Sequence, residues 1–222
     1  MTAPSFLAIE TSVETGSVAF WREGILVMER SFLAGRKPSA TLWPALEEVM
    51  AEVESLSAIV VGIGPGSYNG SRVGIAAAQG LALVHGCEVA PICSFEGVKL
   101  SGEAALAIGD ARRGSFSLQV IRQGQVDGDF TLVEKEELEQ ALEEAQANER
   151  EVFSFDEATR FPIAENWQNL IQRRQSQASL LIEAFLRRDE EEQAMLMNTA
   201  AEPFYLRDPH ITIGKRKSLL ER

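Results

Sequence analysis

The residues best suited to chemistry lie at three places. Five glycines fall within the thirteen residues GIGPGSYNGSRVG at 62–74, between an apolar run at 58–63 and an alanine-rich helical pattern at 73–84. Glycine weakens strands and helices alike, so this density implies positive φ or a very close neighbour. The second place is a hydroxyl-rich turn: Glu10 closes an apolar run, and Thr11, Ser12, Thr15 and Ser17 follow. The third is Asp110, which closes another apolar run ahead of Arg112 and Arg113. Glycine amides and hydroxyls can hold a phosphate, and a carboxylate beside them can hold its cation. Glu10, Thr11, Ser12, Gly64, Gly66 and Asp110 are therefore the candidate nucleotide or phosphate loop. Ser/Thr-rich hairpins are also ordinary turn chemistry.

Familiar phosphate motifs do not fit. Gly70 is followed by Ser71 and Arg72, so the Gly-Lys-Ser/Thr ending of a Walker A loop is missing. Gly64, Gly66 and Gly70 make a loose dinucleotide fingerprint, but the next apolar run, 88–93, ends in Ser94 with no acidic residue at its tip. The two histidines, His85 and His210, stand far apart, and Cys87 near His85 adds only one ligand type, so no metal site is expected. Two histidines and no Gly-x-Ser-x-Gly elbow argue against a serine hydrolase.

Gly70, Gly74, Ala78 and Ala82 recur every four residues and share one side of a helix. Such a smooth stripe fits two neighbours equally: the chain's own sheet or a closely approaching partner helix. Arg72 opens that helix, where a cation is disfavoured by the helix dipole, so an interface ion pair is expected for it. On the partner reading, Gly74→Leu would block dimerisation without unfolding the chain.

The elements that must position these residues repeat. Strands are expected at 6–9, 16–21, 25–32, 58–63 and near Val89. A helix is expected at 39–54, with Leu42, Leu46, Val49 and Val53 on one stripe and Ser39 as N-cap. A second series follows: strands at 104–108, 115–121, 126–132 and 151–155, and helices at 136–146 and 176–188. Glu10 stands six residues before Gly16 and fourteen before the turn at Gly24; Asp110 stands four before Gly114 and fourteen before Gly124. Each half opens with a carboxylate-tipped strand, a Gly-Ser pair and a hairpin. Two related β-β-β-α-β-α lobes, residues 1–100 and 101–222, are expected to face a shared cleft: an α/β fold of the actin-like ATPase (ASKHA, ribonuclease H-like) kind.

Composition narrows the function. With 222 residues and 45% apolar content, a sizeable core can form. A net charge of −12 disfavours a large nucleic-acid footprint. The main basic concentration is the tail, Lys215, Arg216, Lys217 and Arg222. The acidic stretches 134–151 and 189–192 read as solvated helix faces. Cys87 and Cys93, six apart on a strand and roughly 20 Å from each other, cannot bridge. Reduced thiols, the lack of a signal-like start and of any membrane-length apolar run lead to a cytoplasmic expectation.

Seven motifs in order, Leu7-Ala-Ile-Glu-Thr-Ser12, Ser17-Val-Ala19, Gly64-Pro-Gly-Ser-Tyr-Asn-Gly70, Arg72-Val-Gly-Ile75, Gly80-Leu-Ala82, Asp110-Ala-Arg112 and Tyr205-Leu-Arg207, carry a resemblance. Over nearly its whole length the chain resembles the TsaB (YeaZ) family, glycoprotease-like members of the actin/Hsp70 superfamily. The resemblance implies a non-catalytic scaffold in forming N6-threonylcarbamoyladenosine on tRNAs that read A-starting codons. It implies a TsaD-like catalytic paralogue and a TsaE-like ATPase as partners, a homodimer in isolation, and only indirect contact with tRNA. Contacts through first-lobe helices would then place Gly70, Arg72, Gly74, Ala78 and Ala82 at the partner interface. No cofactor is expected on this chain itself, with ATP or ADP at the interface of the complex. The chain departs from the family at Glu10, where Asp is usual, at Pro38-Ser39, where His-Ser is common, and at Ser67-Tyr68-Asn69, where Phe-Thr precedes the glycine. The alternative is an autonomous ATP-dependent enzyme of the same fold, using Glu10 and Asp110.

Overall fold

A computed structural model describes residues 4–34 and 38–205. The first series is β1 (Ser5–Glu10), β2 (Thr15–Arg22), β3 (Ile25–Leu33), α1 (Pro38–Met50), β4 (Ala58–Gly62), α2 (Tyr68–His85) and β5 (Glu88–Ile92). A 3-10 turn at Ser94–Gly97 leads to the second series: β6 (Ala104–Asp110), β7 (Phe116–Arg122), β8 (Gln125–Val133), α3 (Lys135–Ala147), β9 (Glu151–Ser154), α4 (Glu165–Gln168) and β10 (Ile171–Arg173). Two helices close the described chain, α5 (Ala178–Leu186) and α6 (Glu190–Met197).

The two sheets are copies of one plan. The first runs β3-β2-β1-β4-β5 and the second β8-β7-β6-β9-β10. In each, the first three strands form an antiparallel meander and the last two add in parallel. The hairpin turns match too. Glu23 and Gly24 have φ of 56° and 79°, Gln123 and Gly124 of 52° and 73°. Two successive left-handed residues suit the right-handed twist of a two-residue hairpin.

Alternation along β1 sorts its side chains into two cores. Leu7 and Ile9 join Leu42, Leu46 and Val49 of α1 and Ile75, Ala78 and Ala82 of α2. Phe6 and Ala8 face the other way, onto Ala178, Leu181, Ile182 and Phe185 of α5. Phe6 and Phe185 meet edge to face at 5.6 Å. So α5, although it follows the second series, covers the first sheet. On the second sheet, Leu106 and Ile108 lie under Leu138 and Leu142 of α3. Among the described residues its opposite face carries no α-helix and is closed by Phe95, Val98, Phe130 and Phe155.

Local signals explain the element ends. α2 is capped by Ser67, whose side chain accepts from the Gly70 amide, and stops at left-handed Gly86. The expected stripe Leu42, Leu46, Val49 of α1 is buried, with Val53 half-buried beyond its end. The helix starts at Pro38, before the expected Ser39. Cys87 and Cys93 are free thiols. His210 and the basic tail lie outside the described residues. Among the described residues no helix is long and apolar enough to cross a membrane.

Candidate functional site

The turn after β1 is folded inward. Glu10 is fully buried; its Oε1 accepts from the Ser12 amide at 2.7 Å and its Oε2 from the Ser176 hydroxyl at 2.8 Å. A Cβ on Gly62 would overlap that carboxylate, so the absent side chain there makes room for Glu10. Thr11 donates to the Gly70 carbonyl at 2.8 Å, and Ser12 and Ser94 share a hydroxyl hydrogen bond at 2.9 Å. Ser94 also accepts from the Gly64 amide at 3.0 Å. These groups tie β1, β4, the 3-10 turn and the start of α5 together. They do not fit a phosphate-bound cation at Glu10, because both oxygens are engaged and sealed from solvent.

Gly64 and Gly66 meet the demand read from their density, with φ of 101° and 154°. A Cβ on Gly66 would strike the Ser12 carbonyl, so the loop and the β1 turn touch backbone to backbone. The same holds for Gly70 against the Thr11 carbonyl, and Gly74 faces the Thr11 hydroxyl and Ile9. Ala78 and Ala82 are buried in the same core. The stripe Gly70, Gly74, Ala78, Ala82 therefore lies on β1 of its own chain, which corrects the partner-interface expectation for these four residues. Bulk at Gly74 would collide with Thr11 inside the lobe, so Gly74→Leu is a folding lesion rather than a clean interface probe.

The outward side of α2 is different. Arg72, Ala76, Gly80, Leu83 and Val84 are exposed, Leu83 by 87% and Val84 by 80%. A Cβ on Gly80 would meet nothing, so this side is smooth and open. Trp43 of the adjoining α1 is also 55% exposed. Large exposed apolar side chains next to a flat ridge mark an interaction surface more than a solvated one. Arg72, the one expected interface residue that does face outward, donates to the Tyr68 hydroxyl at 2.9 Å and lies 5.3 Å from its ring centre. The sequence signal for Leu83 and Val84 lies in their phase: once positions 70, 74, 78 and 82 face inward, helical spacing turns both away from that side.

Between the lobes lies a cleft of about 700 Å³, bounded by Ser12, Ser67 and Tyr68 on one side and Asp110, Phe155 and Asp156 on the other. Asp110 accepts from the Arg112 amide at 2.8 Å and lies 3.5 Å from the Arg112 guanidinium and 3.7 Å from that of Arg160. Asp156 accepts from the Asp110 amide at 3.0 Å and pairs with Arg160 at 3.2 Å. Asp110 thus caps a strained turn, since Arg112, Arg113 and Gly114 all have positive φ, of 67°, 57° and 77°. Asp156 and Arg160 belong to no local motif, so the sequence carries no signal for them.

One buried ion pair sits at the linker. Glu96, 3% exposed, receives both oxygens' bonds from Arg188 at 2.8 and 3.0 Å. Burial pushes the Glu96 carboxyl above its usual range, and the Arg188 charge partly opposes that push.

This geometry defines a class: an α/β protein of two related lobes with the actin-like plan, whose first-lobe carboxylate is internal and whose α2 presents an apolar outer side. A profile of the family described as "TsaD: tRNA N6-adenosine threonylcarbamoyltransferase" matches residues 33–145. The chain belongs to this family, and the named relatives it is most similar to in sequence include TsaB proteins. It is 37% identical over 81 residues to the Escherichia coli K12 protein named tRNA threonylcarbamoyladenosine biosynthesis protein TsaB, a match covering 35% of each chain. The Bacillus subtilis protein of the same name is 32% identical over 118 residues, covering 50% of this chain and 52% of the relative. The matches thus span between a third and about half of these relatives. The solved structure of YeaZ from Pseudomonas aeruginosa superposes with a TM-score of 0.67 at 22% identity, over 91% of this chain and all of that one.

Proposed function

We propose that this chain is a non-catalytic scaffold subunit in the formation of N6-threonylcarbamoyladenosine on tRNA, docking a TsaD-like catalytic paralogue on the outward side of α2. A TsaE-like ATPase would join the pair, and the same side would hold a homodimer when the chain is alone. Family membership supports the pathway. The observation that carries the scaffold role is the contrast between the two features of the first lobe: Glu10 is committed to its own fold, whereas Leu83 and Val84 stand in solvent with no covering element of the described chain. Burying two such side chains against a partner is favourable by about 1.5–3 kcal/mol each. The net charge of −12 suits a subunit that leaves the grip on tRNA to others.

Titration calorimetry of ATP with magnesium into the isolated chain tests the role. The expected result is no binding heat until a TsaD-like subunit is added. Tight binding with turnover by the chain alone would instead establish the autonomous enzyme.

A further inference from the structure

We propose that residues 201–205 form a strap that bridges the two lobes across their cleft and releases reversibly. After α6 the chain returns across the cleft. Ala201 is buried in the first-lobe core, and the Phe204 amide donates to the Ile63 carbonyl at 2.8 Å. The Tyr205 ring stacks on Tyr68, the first residue of α2, at 5.2 Å. The Phe204 ring turns to the other lobe and meets Phe130 of β8 at 4.4 Å. Phe130 lies 5.9 Å from Phe95, and Phe95 4.8 Å from Phe155, so the strap is the end of an aromatic series running into the second-lobe core. Phe95, Phe155, Phe204 and Tyr205 all line the cleft, so the strap supplies part of its wall.

The links that hold the strap differ in kind from those that hold the lobes. Glu10 to Ser176, Ser17 to the Ala178 amide and Glu96 to Arg188 tie α5 and its flanks to the first lobe and the linker through buried groups. Phe204 is only half-buried and Tyr205 is exposed. Segments with few buried contacts open locally while the core stays folded. Release of the strap would part Ile63 from Phe130 and widen the cleft beside Phe95, Ala111 and Phe155, whereas Arg112 and Arg160 are exposed with the strap in place. The strap stands whether or not a partner docks on α2.

The test measures thiol access in the full chain. Ala111 lines the cleft and is 5% exposed, so Ala111→Cys reports opening, while half-buried Cys93, which is not part of the cleft lining, reports loosening of the rest of the fold. Iodoacetamide labelling is followed peptide by peptide with mass spectrometry. Adding Phe204→Ala should raise the labelling rate at position 111 by roughly tenfold with the Cys93 rate unchanged. Phe130→Ala should give the same selective rise from the other lobe. If Phe204→Ala does not fold, Phe204→Leu keeps the bulk without the ring contact and should give a smaller selective rise. A rate at position 111 within about twofold of the parent, or a parallel rise at Cys93, overturns the strap.

Discussion

Gly74→Ala decides which neighbour the small-residue side of α2 serves. In the folded lobe a methyl at position 74 overlaps the Thr11 hydroxyl, which donates to the Gly70 carbonyl at 2.8 Å. Displacing that hydroxyl leaves a buried polar group unpaired and crowds the packing, together about 3 kcal/mol. Alanine in place of a mid-helix glycine returns about 1 kcal/mol. The net loss is about 2 kcal/mol. Thr11→Ala removes the obstacle, because the next atoms, Thr11 Cβ and Ile9 Cγ2, lie at ordinary distances of 3.5 and 3.6 Å. In that background Gly74→Ala should stabilise by about 1 kcal/mol, which gives a coupling of about 3 kcal/mol, as contacting residues can show. Urea denaturation of the four proteins, each also passed over a sizing column, measures it. Equal effects of Gly74→Ala in both backgrounds, or lost dimer with unchanged stability, would refute the inward placement of the stripe.

Arg188→Met should remove the cation that opposes the burial of Glu96, so the Glu96 carboxyl rises further and the variant loses about 3–5 kcal/mol at neutral pH. A carboxyl raised above its unfolded value binds its proton preferentially in the folded state, so stability falls as pH rises through that window. Relative to the parent, the variant should therefore recover part of its loss on going from about pH 8 to about pH 5 in thermal melts; a pH-independent difference would contradict the assignment. Phe185→Ala should cost about 3–5 kcal/mol in chemical denaturation, because the ring is 1% exposed and closes the α5 face of the first sheet. A loss below about 1 kcal/mol would mean that α5 does not seal that core.

The repeated strand plan was legible because it depends on short-range signals: apolar runs ending in Glu10 and Asp110, and paired turns at Gly24 and Gly124. The glycine loop was legible from its density of glycines alone, although the carbonyls that demand Gly66 and Gly70, those of Ser12 and Thr11, are distant in sequence. The orientation of α2 was not, because both of its sides carry small residues, Gly74 and Ala78 inward and Ala76 and Gly80 outward. Spacing alone cannot rank two smooth sides. Nor could the chain order show that α5 covers the first sheet, a contact between residues more than 150 positions apart such as Ser176 and Glu10. Glu10 was read as phosphate chemistry because the serines that seal it, Ser12 excepted, come from distant elements.

The outward side of α2 as a docking surface is tested most directly by titrating the chain with a TsaD-like subunit, using the parent and the Leu83→Glu, Val84→Glu double variant. Both residues are exposed, so the variant should melt like the parent, within about 0.5 kcal/mol. The expected result is tight binding by the parent and an affinity at least about a hundredfold weaker in the variant, about 2.7 kcal/mol. Equal affinity of a folded variant would contradict the account.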